Sequence, residues 1–217
     1  LANDDSTSIL FTFGARGLLQ EGSQVKELRA AFPGAVLLGG STSGEIIDDE
    51  VLDDSVVVSA VTFEKTQLKV ATVSCEAGEK SFEAGKQLAS ALDPDQLKHV
   101  FVVSNGLNVN GTDLSKGMAD VLPESVTVTG GLTGDAADFA KTWVMADDVQ
   151  NETSVAAVGL YGDSIKVGYG SAGGWEVFGP ERRVTKSQGG VLYELDDKSA
   201  LDLYKTYLGE HVDQLPG

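Results

Sequence analysis

The chain has 217 residues, enough for one large domain or two small ones with a real core, and its 41% hydrophobic content is ordinary for a globular protein. Against 33 acidic residues stand 16 basic ones, and the net charge of -17 excludes the basic footprint that nucleic acid or an anionic membrane surface requires. A single cysteine, Cys75, excludes an intrachain disulfide, two histidines argue against a Cys/His zinc site, and no apolar run approaches the roughly 20 residues of a membrane helix.

The opening "LANDDSTSIL" carries neither Met nor a basic segment ahead of an apolar run. It reads as a processed chain or a piece of a longer one, without a signal peptide, and the expected location is cytoplasmic. "SILFTFG" (Ser8 to Gly14) is expected to be a strand. "SQVKELRAAF" follows as a helix with Val25, Leu28, Ala31 and Phe32 on one face, stopped by Pro33-Gly34. "AVLLGG" is a buried strand that opens into the Gly-rich loop "GGSTSGE". "SVVVSAVTF" and "LKVATVSC" read as an antiparallel hairpin around Glu64 to Gln67, and "KSFEAGKQLASAL" as a helix ending at Asp93-Pro94.

The pattern then restarts. "HVFVVSNG" is a strand, "TDLSKGMADVL" a helix, and "SVTVTGG" a strand opening into a second Gly-rich loop, "GGLTGDAADF". "KTWVMA" and "SVAAVGLY" read as strands across Asp147 to Asn151, and "SIKVGYG" as one more. "RRVTKS" and "GGVLYEL" are short strands across Gln188-Gly189. The last helix is "SALDLYKTYL", with Ser199 and Asp202 placed as a capping box and Gly209 as its stop.

"FPGAVLLGGSTSGE" aligns with "LPESVTVTGGLTGD" without a gap, at a step of 90 (Pro33 to Pro123, Gly40 to Gly130, Glu45 to Asp135). The same step lays Phe11 on Phe101 and Leu28 on Met118, and Ser55-Val56 falls on Ser154-Val155 at a step of 99. The expected fold is α/β: an internally duplicated strand-helix-strand-loop-hairpin unit with mixed or antiparallel sheets and pseudo-twofold symmetry. The repeats are expected at about 8–92 and 98–175, with an extension over 176–217. In such an arrangement the two Gly-rich loops meet, and ligands commonly sit in crevices beyond strand ends.

The stretches "GGSTSGEI", "DDSVVVSAVTF", "GGLTGDAADFAKTWVM" and "GWEVFGPERRVTKSQGGVLYELDDKSALDLYKTYLGE" resemble the N-terminal half of the FIST domain, over about Phe11 to Gly209. The resemblance implies that 1–217 is an intracellular sensory domain of signal transduction that binds a small ligand, an amino acid being the usual proposal, and reports to a fused or separate output protein. It also implies a C-terminal FIST half, which this sequence does not include. One branch of the family binds haem and responds to nitric oxide.

The residues themselves leave several chemistries open. Neither Gly-rich loop has a Lys, and Glu45 and Asp135 would repel phosphate. Glu45 and Asp135, if brought together, would form a carboxylate pair fit for acid–base work in a hydrolase or lyase; the alternative is that each fixes its own turn. Ser41 or Ser43 as a nucleophile would need a base, and His99 reads as a strand-edge residue. For an amino acid, the amides and hydroxyls of Gly40, Ser41, Thr42, Ser43, Gly131 and Thr133 supply donors, and Glu45, Asp135 and Asp138 supply acceptors. Trp143 and Trp175 could wall the site, although core packing is the favoured reading for Trp143. Arg182 offers a fork for a carboxylate, and Arg16 and Asn105-Gly106 could also face the crevice. Haem would need an axial ligand, and His99, His211, Cys75, Met118 and Met145 qualify by type alone, with no spacing that selects among them. The expectation is therefore a ligand-binding module without catalysis, with no cofactor or metal assigned and haem left open.

Overall fold

The structure, a computed structural model, describes residues 6–174, 176–177 and 179–215. The chain divides into two compact units, 1–169 and 170–217. In the first unit β1 (Ile9–Gly14) leads through the short helix α1 (Arg16–Glu21) and α2 (Ser23–Ala31) to β2 (Val36–Ser41), which lies parallel to β1. A small hairpin, β3 (Glu45–Ile47) and β4 (Glu50–Leu52), precedes β5 (Val56–Val61), antiparallel to β1. β6 (Gln67–Ser74) and α3 (Ser81–Ser90) complete the first half.

The second half runs β7 (Leu97–Ser104), α4 (Gly111–Ala119), β8 (Thr127–Leu132), the hairpin β9 (Val144–Ala146) and β10 (Val149–Asn151), and β11 (Ser154–Tyr161), with one helix where the first half has two and no counterpart of β6 and α3 at its end. β7 and β8 are parallel, and β11 is antiparallel to β7. The strands form two main sheets, ordered β10-β9-β2-β1-β5 and β6-β11-β7-β8.

Alternation along each strand sorts side chains into three cores. Leu10 and Leu37 point from the first sheet toward α1 and α2, where Leu19, Val25 and Leu28 meet them. Ile9 and Leu38 point the other way and pack against Val103, Val158 and Leu160 of the second sheet. Val100 and Val102, on the far face of that sheet, meet Leu88, Leu114 and Met118 of α3 and α4. The result is four layers, helices–sheet–sheet–helices, with Phe11 edge-on to Phe101 at 5.2 Å between ring centres in the middle. Gly39 lets β1 and β2 lie close, since a Cβ there would come within 1.7 Å of the Thr12 carbonyl oxygen.

The mixed α/β architecture with mixed and antiparallel sheets stands, but three local expectations fall. β5 and β6 are not a hairpin: β5 borders one sheet beside β1, β6 borders the other beside β11, and the short connection crosses between layers. β9 likewise turns into β10, and β11 belongs to the opposite sheet. "SIKVGYG" forms no strand. The two halves share strand order, β1 to β5 against β7 to β11, and the antiparallel pairings Ile9↔Val61 and His99↔Leu160, at steps of 90 and 99. The parallel pairings are one residue out of step: Ile9 faces Val36, whereas His99 faces Thr127 rather than Val126.

The second unit contains β12 (Val184–Gln188), β13 (Val191–Leu195), β14 (Lys198–Ser199) and α5 (Ala200–Leu208). Ser199 caps α5 by accepting from the Asp202 amide at 3.2 Å, and Gly209 ends the helix with a φ of 57°. The strands form their own three-stranded antiparallel sheet.

Candidate functional site

The two Gly-rich loops meet in the first unit. The Gly134 amide donates to the Ser41 carbonyl at 2.8 Å, and the Ala136 amide donates to Ser43 Oγ at 3.1 Å. Gly134 has no room for a side chain, because a Cβ would sit 2.6 Å from Ser43 Oγ. Beside this junction lies a cleft of about 300 Å³, floored by Ala15, Arg16 and Gly17 at the start of α1. Its walls are Thr42 to Glu45 and Asp53-Asp54 on one side and Asp135, Ala136 and Asp138 on the other.

Five carboxylates and one guanidinium therefore line the cleft. Glu45 is buried, accepting from Thr42 Oγ1 on one oxygen and from Ser55 Oγ at 2.7 Å on the other. Asp135 is buried too, and its Oδ2 accepts from the Ala140 and Lys141 amides, each at 2.8 Å. Each acid is thus held in its own loop by donors of that loop or its neighbour. Asp138 forms an ion pair with Arg16 at 2.9 Å, its carboxylate well exposed. The segment that carries Asp135 and Asp138 turns through positive φ at Ala136 (59°) and Phe139 (47°), a conformation disfavoured for side chains with a Cβ.

Thr42, Ser43, Glu45, Asp135 and Asp138 are the sequence-derived candidates that the fold brings to this cleft, and Arg16 joins them. Gly40, Ser41 and Thr133 are used by the scaffold instead. The Ser41 amide donates to the Trp143 carbonyl at 2.8 Å and its Oγ accepts from the Trp143 amide at 2.8 Å, so its polar atoms are spent fixing β9 to β2. Gly40 is pressed against Thr133 Cγ2 and the Trp143 carbonyl, and Thr133 turns both its amide and its hydroxyl to the Ser104 carbonyl. Gly131 lies on a different cleft, of about 330 Å³, between β8 and α4.

Trp143 packs in the core of α1 and α2 and is no site wall. Trp175 lies outside the described residues. Asn105 and Gly106 hold turns: Asn105 Oδ1 accepts from the Leu107 and Asn108 amides, and the Gly106 amide donates to Thr142 Oγ1. Arg182 belongs to the second unit, where it pairs with Asp196 at 3.1 Å and lies on a groove of about 530 Å³ with Leu192, Leu201, Tyr204 and Tyr207. The Tyr207 hydroxyl, and then the Asp196 carboxylate, hold its pKa above the ordinary arginine value.

The sulfur atoms that qualify by type as haem ligands lie in two separate cores of the first unit. Cys75 and Met118 are in the core beneath α3 and α4, and Met145 is in the core beneath α1 and α2. His99 is buried, with Nδ1 2.7 Å from Thr127 Oγ1 and Nε2 2.9 Å from Thr129 Oγ1, and burial lowers its pKa. His211 is exposed in the second unit. His99 does not line the acidic cleft. Asp53 and Asp54 are lining residues that motif reading passed over. Their signal is weak in sequence, a pair of acids before a strand, and only the turn back toward Glu45 brings them to the site.

The sequence pattern of the FIST N domain matches residues 8–198. An uncharacterized protein of Methanocaldococcus jannaschii is 27% identical over 185 residues, covering 80% of this chain and 34% of its own. The chain thus spans about a third of the length of that curated relative. The chain belongs to the FIST family, whose domains are generally sensory domains of signalling proteins.

Proposed function

We propose that the cleft between the Thr42–Glu45 and Asp135–Asp138 loops binds a small zwitterion of the amino-acid class, and that occupancy is the signal this sensory domain reports. One observation carries the reading: a single guanidinium, Arg16, sits among five carboxylates in a cleft of about 300 Å³. A free α-amino acid presents one carboxylate and one ammonium. Arg16 takes the carboxylate as a forked donor, exchanging its exposed partner Asp138 for the ligand. The acids of the rim take the ammonium. The excess of acids favours ligands with a second cationic group over those with a second carboxylate.

Binding at both loops favours the arrangement in which they lie together, and that differential affinity is what shifts the population toward a signalling state. No step of bond-making is assigned. Glu45 accepts from Thr42 Oγ1 and Ser55 Oγ, Asp135 Oδ2 accepts from the Ala140 and Lys141 amides, and Ser43 Oγ is engaged by the Ala136 amide.

A thermal-shift screen of the purified chain against the amino acids, simple amines and simple carboxylates tests the proposal. A ligand at a hundredfold excess over its dissociation constant stabilises by about 2.7 kcal/mol. In a chain of this size that is a rise of about 5–10 °C in the melting temperature. A response to an amino acid that disappears in Arg16→Ala supports the assignment. A response indifferent to Arg16→Ala, or to carboxylates alone, places the ligand elsewhere.

A further inference from the structure

The two small hairpins of the first unit are made alike but used differently. β3–β4 and β9–β10 each pair three residues with three, at a step of 99 along the chain (45 to 144, 50 to 149). Each is turned by two aspartates, the first with positive φ: 53° at Asp48, 49° at Asp147.

β9–β10 is a docking element within the fold. β9 adds to the edge of β2, with Leu38 opposite Ala146 and Gly40 opposite Val144. Met145 is driven into the core, fully buried. Asp147 fastens the turn, its Oδ1 accepting from Arg29 Nη2 and from the Leu37 amide, each at 3.0 Å. An open strand edge, an apolar socket and an arginine are what that hairpin engages.

β3–β4 has the same equipment and, among the described residues, joins no larger sheet. Ile46, which stands where Met145 does, is 71% exposed, and Val51, its cross-strand neighbour, is 72% exposed. Asp48, Asp49 and Glu50 are all exposed, and no Lys or Arg occurs in the sequence between Arg29 and Lys65. β8, which stands in the second half where β2 stands in the first and borders its sheet, does not offer the matching surface. Where α2 carries Arg29, α4 ends in Ala119 followed by Asp120, which would repel the aspartate turn.

We propose that the β3–β4 hairpin is a protein-docking surface. Its occupant is a partner that presents an open strand edge with apolar side chains and an adjacent arginine or lysine. The strand edge receives the hairpin's backbone, the apolar residues cover Ile46 and Val51, and the cation takes Asp48 as Arg29 takes Asp147. The surface stands whether or not the acidic cleft holds a ligand, so its failure and the failure of the cleft assignment are separately visible.

The test uses a fluorescent peptide of alternating valine and arginine, which presents such an edge. The controls are a peptide of alternating glycine and arginine, of equal charge, and the Ile46→Ser/Val51→Ser variant, whose net charge remains -17. Both substituted positions are on the surface, and the circular dichroism of the variant should match the parent. The expected result is saturable binding, weakened about tenfold or more both by the glycine peptide and by the double variant. Hydrogen-exchange protection should be confined to Glu45–Leu52. Equal binding of the two peptides, equal binding by the variant, protection on β8, or no binding would overturn the proposal. A homodimer that the double variant dissociates would also overturn it, by making a second copy the occupant.

Discussion

Replacing Asp135 with alanine tests whether the acidic loop is held by its own carboxylate. Asp135 Oδ2 accepts from the amides of Ala140 and Lys141, each at 2.8 Å, and the side chain is buried. Hydrogen bonds to a charged acceptor contribute about 1.5–3 kcal/mol each, and water entering from the cleft restores part of that, so the net loss is about 3 kcal/mol. For a chain of this size that lowers the melting temperature by about 6–12 °C if the loop unfolds with the whole. Asp135→Asn keeps an acceptor without the charge and should lose about half as much. Calorimetry gives the total, and hydrogen exchange at Ala140 and Lys141 locates it. An Asp135→Ala protein that melts with the parent and leaves those two amides protected would refute the account of the loop.

Other expectations follow from single contacts. Gly39→Ala should prevent β1 and β2 from closing and yield little folded protein, whereas Gly131→Ala, with nothing within 4 Å of its new Cβ, should melt with the parent; expression and melting temperature compare them. Ala136→Gly should raise stability by about 0.5–1 kcal/mol, the reverse of the usual sign, because Ala136 holds a φ of 59°; chemical denaturation measures it. His99 is disfavoured in its charged form by burial, so the unfolded chain takes up a proton that the folded chain refuses. Stability should therefore fall as pH drops through about 6.5, the unfolded value, and the melting-temperature gap between the parent and His99→Gln should narrow in acid.

Much of the fold was legible because strand and helix periods are local. The Phe11 and Phe101 strands, the α2 face of Val25 and Leu28, and the Ser199 cap all came from spacing, and each lies where spacing put it. Partner choice was less legible. β5 and β6 have a hairpin's connection length and alternation, yet the chain changes sheets between them, since both strands border sheets whose inner positions β1 and β11 already fill. α1 was missed because six residues give no period; Leu19, fully buried, is its one apolar anchor in the core.

The site followed the same division. Thr42, Ser43, Glu45, Asp135 and Asp138 could be named because two Gly-rich loops, one leaving the buried β2 and the other the more exposed β8, converge at one junction. The roles of Gly40, Ser41 and Thr133 could not, because a hydroxyl that meets a ligand and a hydroxyl that accepts from a backbone amide such as that of Trp143 are the same letter in a sequence. The partners that decide between them, Trp143 and Ser104, lie far along the chain. Arg182 was drawn to the cleft by its chemistry alone, and the chain carries it into a separate unit.

The measurement that bears most directly on the account is hydrogen exchange of the purified chain with and without the amino acid that gives the largest thermal shift. Exchange should slow at Ser43 to Glu45 and at Ala136 to Asp138, and the effect should be lost in Arg16→Ala. Protection confined to the groove around Leu192 and Tyr204, or to the cleft between β8 and α4, would contradict it.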